Sequence, residues 1–206
     1  MLYIIVISAA TVIAAALDFL LGGNFTVIAA LESLLFAVLA VISIIAIDGA
    51  VAFIVRRMPE KWFAPQAKLF SVGKRERELY RRLGVNAWKK YVPELGCFTG
   101  FHKDKIYEPT SSEYIGRFLL ESNYGALGHI LGSVLGALIL LIPRVNSLAI
   151  AIPVILVNFI LSNLPTMILR YNTPPLRRLY RRAQDRERRL EEKEKSAEEK
   201  EIGDNE

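Results

Sequence analysis

The chain of 206 residues is 52% apolar yet 23% charged, and it carries a formal charge of +5. The two characters fall in separate blocks, which excludes a single soluble core and points to a membrane protein with basic flanks. The one cysteine, Cys97, excludes an internal disulfide, and with only two histidines beside it no zinc site, and no metal, is expected.

Blocks 1–21, 25–55, 124–142 and 148–169 are nearly free of charge, and a hydrocarbon core takes about 20 helical residues to cross. Block 1–21 has no basic residue ahead of it and no small-residue cleavage pattern behind it, so it reads as a retained span. The expected fold is an all-α integral membrane protein of about four transmembrane helices in two hairpins. Its boundaries are a first hairpin at 1–55, a basic interfacial segment at 56–123, a second hairpin at 124–170 and a tail at 171–206. Lys and Arg crowd 56–90 and the tail, whereas the Gly22-Gly23-Asn24 turn has none and Pro143 to Asn146 only Arg144. Basic flanks are retained on the cytoplasmic side, so both termini are predicted cytoplasmic.

Block 25–55 is longer than one crossing needs, which leaves Asp48 near the inner interface. Beyond it Trp62, Phe63, Phe70 and Tyr80 alternate with Lys68, Lys74, Arg75, Arg77, Arg81 and Arg82, the mixture of helices lying on a headgroup surface. Gly84 reads as a helix stop, Pro93 and Gly96 as an irregular stretch, and His102 as part of a solvated loop. Ser111 or Ser112 supplies the cap of a helix that runs past Glu121 into the bilayer. Gly128, Gly132 and Gly136 then clear one stripe of that helix, so that the helix at 148–169 can come close. After Pro174-Pro175 the chain reads as a basic helix with Leu176, Leu179 and Tyr180 on one side, followed by a solvated Glu/Lys/Arg run.

Polar residues inside the apolar blocks are the candidates for chemistry, because each is costly there. His129 is placed to take a proton from a hydroxyl near neutral pH, with Ser133 four residues on; packing across the glycine stripe is the other reading. Glu113, Glu121 and His129, spaced by eight, form a slanted polar line that rises about 12 Å per step. Asn158, Ser162 and Asn163 precede Pro165, whose ring frees the carbonyl of residue 161, and such groups can hold an oxyanion or serve as helix glue. Asp18 and Glu32 flank the first hairpin turn. Nucleotide-loop, dinucleotide and serine-hydrolase signatures are missing, and the basic residues belong to no nucleic-acid module. No nucleic acid is expected; anionic lipid headgroups or a phosphorylated ligand are.

Four ordered motifs carry a family resemblance. Arg57-Met58-Pro59-Glu60-Lys61-Trp62-Phe63 and Trp88-Lys89, then Glu121 and His129, then Arg170-Tyr171-Asn172 with Pro174 and Leu176, occur in the order found in the bacterial glycosyl-4,4'-diaponeurosporenoate acyltransferases. The chain resembles that family from about residue 48 to 182. Ala126 stands where the family example has Glu, and Leu169, Thr173 and Pro175 replace polar or basic residues. The resemblance implies a bacterial cell-membrane enzyme of staphyloxanthin-type pathways that moves a fatty acyl group to a sugar hydroxyl of a glycosylated carotenoid or related membrane glycolipid. No bound cofactor is implied; an acyl-CoA or acyl-carrier thioester is the co-substrate. His129 would be the base, Glu121 its supporting carboxylate and Asn163 an oxyanion donor. Arg57, Lys61, Trp88, Lys89, Arg170, Tyr171 and Asn172 would bind substrate. A membrane adaptor or lipid-binding protein without catalytic activity is the reading from another class.

Overall fold

The computed structural model describes residues 2–92 and 107–203, and all regular structure among them is helical. Pro93, Gly96, Cys97 and His102 lie outside the described residues. Six α-helices follow in order: α1 (Leu2–Gly22), α2 (Val27–Arg56), α3 (Lys74–Arg82), α4 (Val85–Trp88), α5 (Ser112–Leu135) and α6 (Leu148–Gly203). Four of them, α1, α2, α5 with its 3-10 continuation Gly136–Leu141, and α6, are long and apolar enough to cross a membrane.

The first hairpin turns at Gly23, where a φ of +67° suits a residue without Cβ, and restarts at Thr26, whose hydroxyl accepts from Ala29 N at 3.2 Å. Its helices leave Ile5, Val12, Leu31, Leu35, Ile42 and Ile45 exposed, a surface that suits lipid rather than water. Inward they present small residues. Ala14, Ala37, Ala40 and Ala151 are fully buried with Ile139, Val145, Ile150 and Val154, so the four helices approach closely at the end away from the basic segments. At that end Asp18 accepts hydrogen bonds from Ser33 (2.8 Å) and Ser147 (2.6 Å), tying α1 to α2 and to the entry of α6. Asp18 therefore meets serines and not Glu32, which is exposed.

The basic end is built from the segment between the hairpins. Phe63 is 1% exposed, stacks on Tyr124 at 3.9 Å between ring centroids and touches Phe70 at 5.5 Å. Asn123, also buried, donates to the Phe63 carbonyl at 2.8 Å, and Tyr124 donates its hydroxyl proton to the Met58 carbonyl at 3.1 Å. The stretch from Met58 to Phe70 is thus a cap clamped to α5, its aromatic residues turned inward and Trp62 outward.

Ser111 is the cap of α5, accepting from Tyr114 N at 3.1 Å. Gly84, read as a stop, has φ +65° and stands between α3 and α4. The basic helix expected after Pro174-Pro175 is the continuation of α6, which runs unbroken through Pro153, Pro165, Pro174 and Pro175. Lost backbone bonds there are offset by packing, because Leu176 and Ala183 bury against Ile115, Phe118 and Leu119 of α5, with Leu179 and Tyr180 beside them. Glu187 further accepts from Ser112 N at 2.7 Å, so the basic part of α6 caps the start of α5. The α5–α6 pair is one long antiparallel hairpin that continues beyond the apolar zone.

Candidate functional site

A cavity of about 370 Å³ opens inside the helix bundle. Its walls are largely apolar, with Ile7 and Ala10 from α1, Val41, Ile44 and Ile45 from α2, and Val154, Leu161 and Ile168 from α6. Five side chains with polar groups break that lining inside the bundle: Tyr3 of α1, Asp48 of α2, His129 of α5, and Asn158 and Ser162 of α6. Lys89 and Val92, from the interfacial segment, join the lining. An apolar chamber with a few converging polar groups is the usual form of a small-molecule site.

Glycines of α5 create the room for two of those groups. A Cβ at Gly132 would stand 2.5 Å from Asp48 Oδ1, and one at Gly136 would stand 2.5 Å from Asn158 Nδ2. The stripe therefore admits side chains from α2 and α6 against the α5 backbone, rather than only a bare helix contact. Gly128, the third member, faces open space. Asn158 donates to the Gly132 carbonyl at 3.3 Å and accepts from Ser162 Oγ at 3.4 Å. Asp48 Oδ1 is buried and has no hydrogen-bond partner among the described residues. An acceptor left open in an apolar setting costs free energy unless a ligand supplies the donor.

The residues singled out from the sequence separate into several groups. His129 lines the cavity and is half-buried, as the reading of it as a base requires. Ser133, four residues on, donates to the Ile130 carbonyl of its own helix at 2.8 Å. Glu121 does not line the cavity: it pairs with Arg56 at 2.5 Å and Arg117 at 3.7 Å. The carboxylate that shares the chamber with His129 is Asp48. Asn163 is likewise turned away, its amide donating to the Phe159 carbonyl at 2.7 Å, because one helical residue beyond Ser162 is about 100° round the axis. Asn158 and Ser162 hold the inward positions.

Of the expected substrate-binding set, the structure brings together Lys89 and Tyr171, with the ammonium 5.4 Å from the ring centroid beside the cavity. Trp88 donates its indole N–H to the Leu83 carbonyl at 3.0 Å. Arg57 lies over the Phe53 ring at 4.3 Å and Lys61 is exposed, both away from the chamber. Asn172 is half-buried on α6, outside the cavity lining. Arg170 is ion-paired with Glu76, to which Tyr80 also donates at 2.7 Å. Burial alone would raise the Glu76 carboxyl, but the hydrogen bonds from Arg170 and Tyr80 and the Arg170 charge outweigh it and hold the group below the usual carboxylate range. Burial first, then the Glu76 bond, pushes the Tyr80 phenol up to about 12. Arg170 thus anchors α3 to α6.

Asp48 is the residue that sequence reasoning placed at the interface without a task; its signal was an ionisable group inside a long apolar block. No group of three His, Cys, Asp or Glu side chains among the described residues is placed to hold a metal ion. Chemically, the chamber offers an imidazole, a carboxylate, an ammonium, a phenol and two neutral polar groups against largely apolar walls.

No curated protein and no solved structure matches the chain significantly. A family model described as glycosyl-4,4'-diaponeurosporenoate acyltransferase matches residues 59–182, more than half of the chain and nearly the stretch over which the motifs ran. That is a family of enzymes of staphyloxanthin biosynthesis, so the enzymatic reading stands over the adaptor. By that match, and with four helices able to cross a membrane, the chain belongs to the glycosyl-4,4'-diaponeurosporenoate acyltransferase family.

Proposed function

We propose that this enzyme transfers a fatty acyl group from a thioester donor to a sugar hydroxyl of a glycosylated carotenoid or related glycolipid, inside the bundle cavity and from the cytoplasmic side. The observation that carries the reading is one apolar chamber lined by His129, Asp48, Asn158 and Ser162 together. An acyl chain needs apolar walls, and a sugar hydroxyl needs a base close by.

His129 takes the proton of the attacking hydroxyl, and the oxygen bonds to the thioester carbonyl carbon. The carbonyl oxygen becomes an oxyanion, for which the Asn158 amide keeps one N–H beyond the one given to Gly132, while the Ser162 hydroxyl supports that amide from its other side. Collapse breaks the carbon–sulfur bond, and the departing thiolate receives the proton held by the imidazolium. Asp48 stabilises that imidazolium or accepts from a second sugar hydroxyl, a use for its open Oδ1. Glu121 and Asn163 have no part in these steps. Lys89, set against Tyr171, meets the polar end of the substrate.

Basic segments at one end of the bundle support an arrangement with both termini in the cytoplasm, where thioesters are made. The test is expression of wild type and His129→Ala at matched membrane levels in a host that makes the glycosylated carotenoid, with lipid mass spectrometry. The expected result is a product heavier by one acyl residue in wild type, reduced about a hundredfold or more in the variant. A product that persists in the variant removes His129 as base; no acylated glycolipid of any kind from wild type removes the reaction.

A further inference from the structure

A second recess, of about 180 Å³, lies at the basic end between the loop at Ser71 and Val72, Arg77 of α3, and the stretch of α6 that carries Arg177, Arg178 and Arg181. Four guanidinium groups line it, and no carboxylate does. Three cations on the same two helices are neutralised, Arg170 by Glu76 and both Arg81 and Arg82 by Glu78. Arg77, Arg177, Arg178 and Arg181 make no such pair among the described residues. Arg177 is the centre of the group. One terminal nitrogen donates to the Ala67 carbonyl at 2.7 Å, which fixes the side chain, while its Nε is buried and finds no acceptor among the described residues. A fixed, half-buried guanidinium with the unpaired Arg181 as a neighbouring charge is an arrangement that an anion would stabilise.

We propose that these four arginines bind a phosphate group. Planar guanidinium forks suit phosphate oxygens, which accept two parallel N–H bonds at once. The recess lies along α6 from the catalytic chamber: Leu169 lines the chamber, Thr173 and Arg177 the recess, and Leu169 to Arg177 is a rise of about 12 Å. A long thioester donor carrying phosphate would leave its charged end here, with the flexible arm running toward His129. That assignment of the phosphate to the acyl donor rests on the acyltransfer reading; the phosphate site itself rests on the arginines. A phospholipid headgroup carries the same chemistry.

Binding, not turnover, tests the site, so an inactive wild type in the carotenoid assay would not obscure the result. The full chain is placed in nanodiscs of phosphatidylcholine alone, and coenzyme A binding is measured by titration calorimetry. The variant Arg77→Gln/Arg178→Gln/Arg181→Gln changes three exposed side chains and leaves the Arg177 anchor; Arg186→Gln/Arg188→Gln/Arg189→Gln removes the same charge further along α6. We expect the first to weaken coenzyme A binding about tenfold or more and the second to leave it near wild type. Arg178→Gln alone should give a smaller loss of the same sign, a check that does not depend on the triple variant folding. If wild type ignores coenzyme A but retains phosphatidylglycerol on purification, and the first variant loses that lipid, the phosphate belongs to a headgroup and the site stands. Equal binding of both probes by wild type and the first variant overturns it.

Discussion

Two aspartates sit in the apolar helices of the first hairpin, and their surroundings are opposite. Asp18 has both carboxylate oxygens taken, by Ser33 and Ser147 from two other parts of the bundle. Asp48 has Oδ1 buried against Gly132 with no partner among the described residues, in a chamber shared with His129. The same residue type is thus a rivet at one end and an open acceptor at the other. An intramembrane charge that is satisfied explains itself by structure, whereas one that is not points to a missing ligand.

Replacing each aspartate by asparagine sharpens that contrast, and the largest effect is expected at residue 48. Asp48→Asn keeps the shape and removes the charge and the acceptor's basicity. Product formation in the mass-spectrometric assay should fall by one to several orders of magnitude, about the range assigned to acid–base groups. Thermal stability in detergent should hold or rise, because an unpaired buried carboxylate is no longer present. Asp48→Asn with full activity and lowered stability would make Asp48 another rivet and break the comparison.

The glycines give the next effect. Gly132→Ala puts a methyl group 2.5 Å from Asp48 Oδ1, so the carboxylate must be displaced from its place beside α5. Activity should fall about tenfold or more, given that small misplacements at a reacting centre are costly. Gly128→Ala meets open space and should be silent or slightly stabilising, as alanine favours helix over glycine by about 1 kcal/mol. Parallel assays of the two variants separate a loss of the Asp48 position from a general stiffening of α5.

Much of this fold could be read from hydropathy alone, because each spanning block is uniform and each turn is marked by Gly, Asn, Pro or a capping Ser. The Ser111 cap and the apolar side of Leu176, Leu179 and Tyr180 follow from local pattern. Continuity of α6 through Pro174-Pro175 does not, since it depends on α5 packing alongside and overriding a local breaker. For the chamber, His129 stood out as an ionisable group in an apolar helix. Asp48 was equally visible, but its meeting with Gly132 is a long-range contact between α2 and α5 that no spacing encodes. Asn163 against Asn158 was a matter of helical phase, and phase is decided by the neighbour that α6 packs on. Arg170 attracted attention as a basic residue at a membrane edge, yet Glu76 neutralises it, while three of the four arginines that line the second recess, Arg177, Arg178 and Arg181, lie in the tail beyond Asn172.

The smallest expected loss falls on Asp18. Asp18→Asn retains one acceptor oxygen where two are needed, so one of the Ser33 and Ser147 hydroxyls must turn to its own backbone. Intramembrane hydrogen bonds of this kind contribute about 1 kcal/mol, and the loss should be of that order. It should be seen as a lower melting midpoint in detergent, with the specific activity of the folded fraction unchanged. The two asparagine variants then form a crossed pair, one moving activity without stability and the other stability without activity. That crossing is what a catalytic carboxylate and a structural one predict, and two structural carboxylates would not produce it.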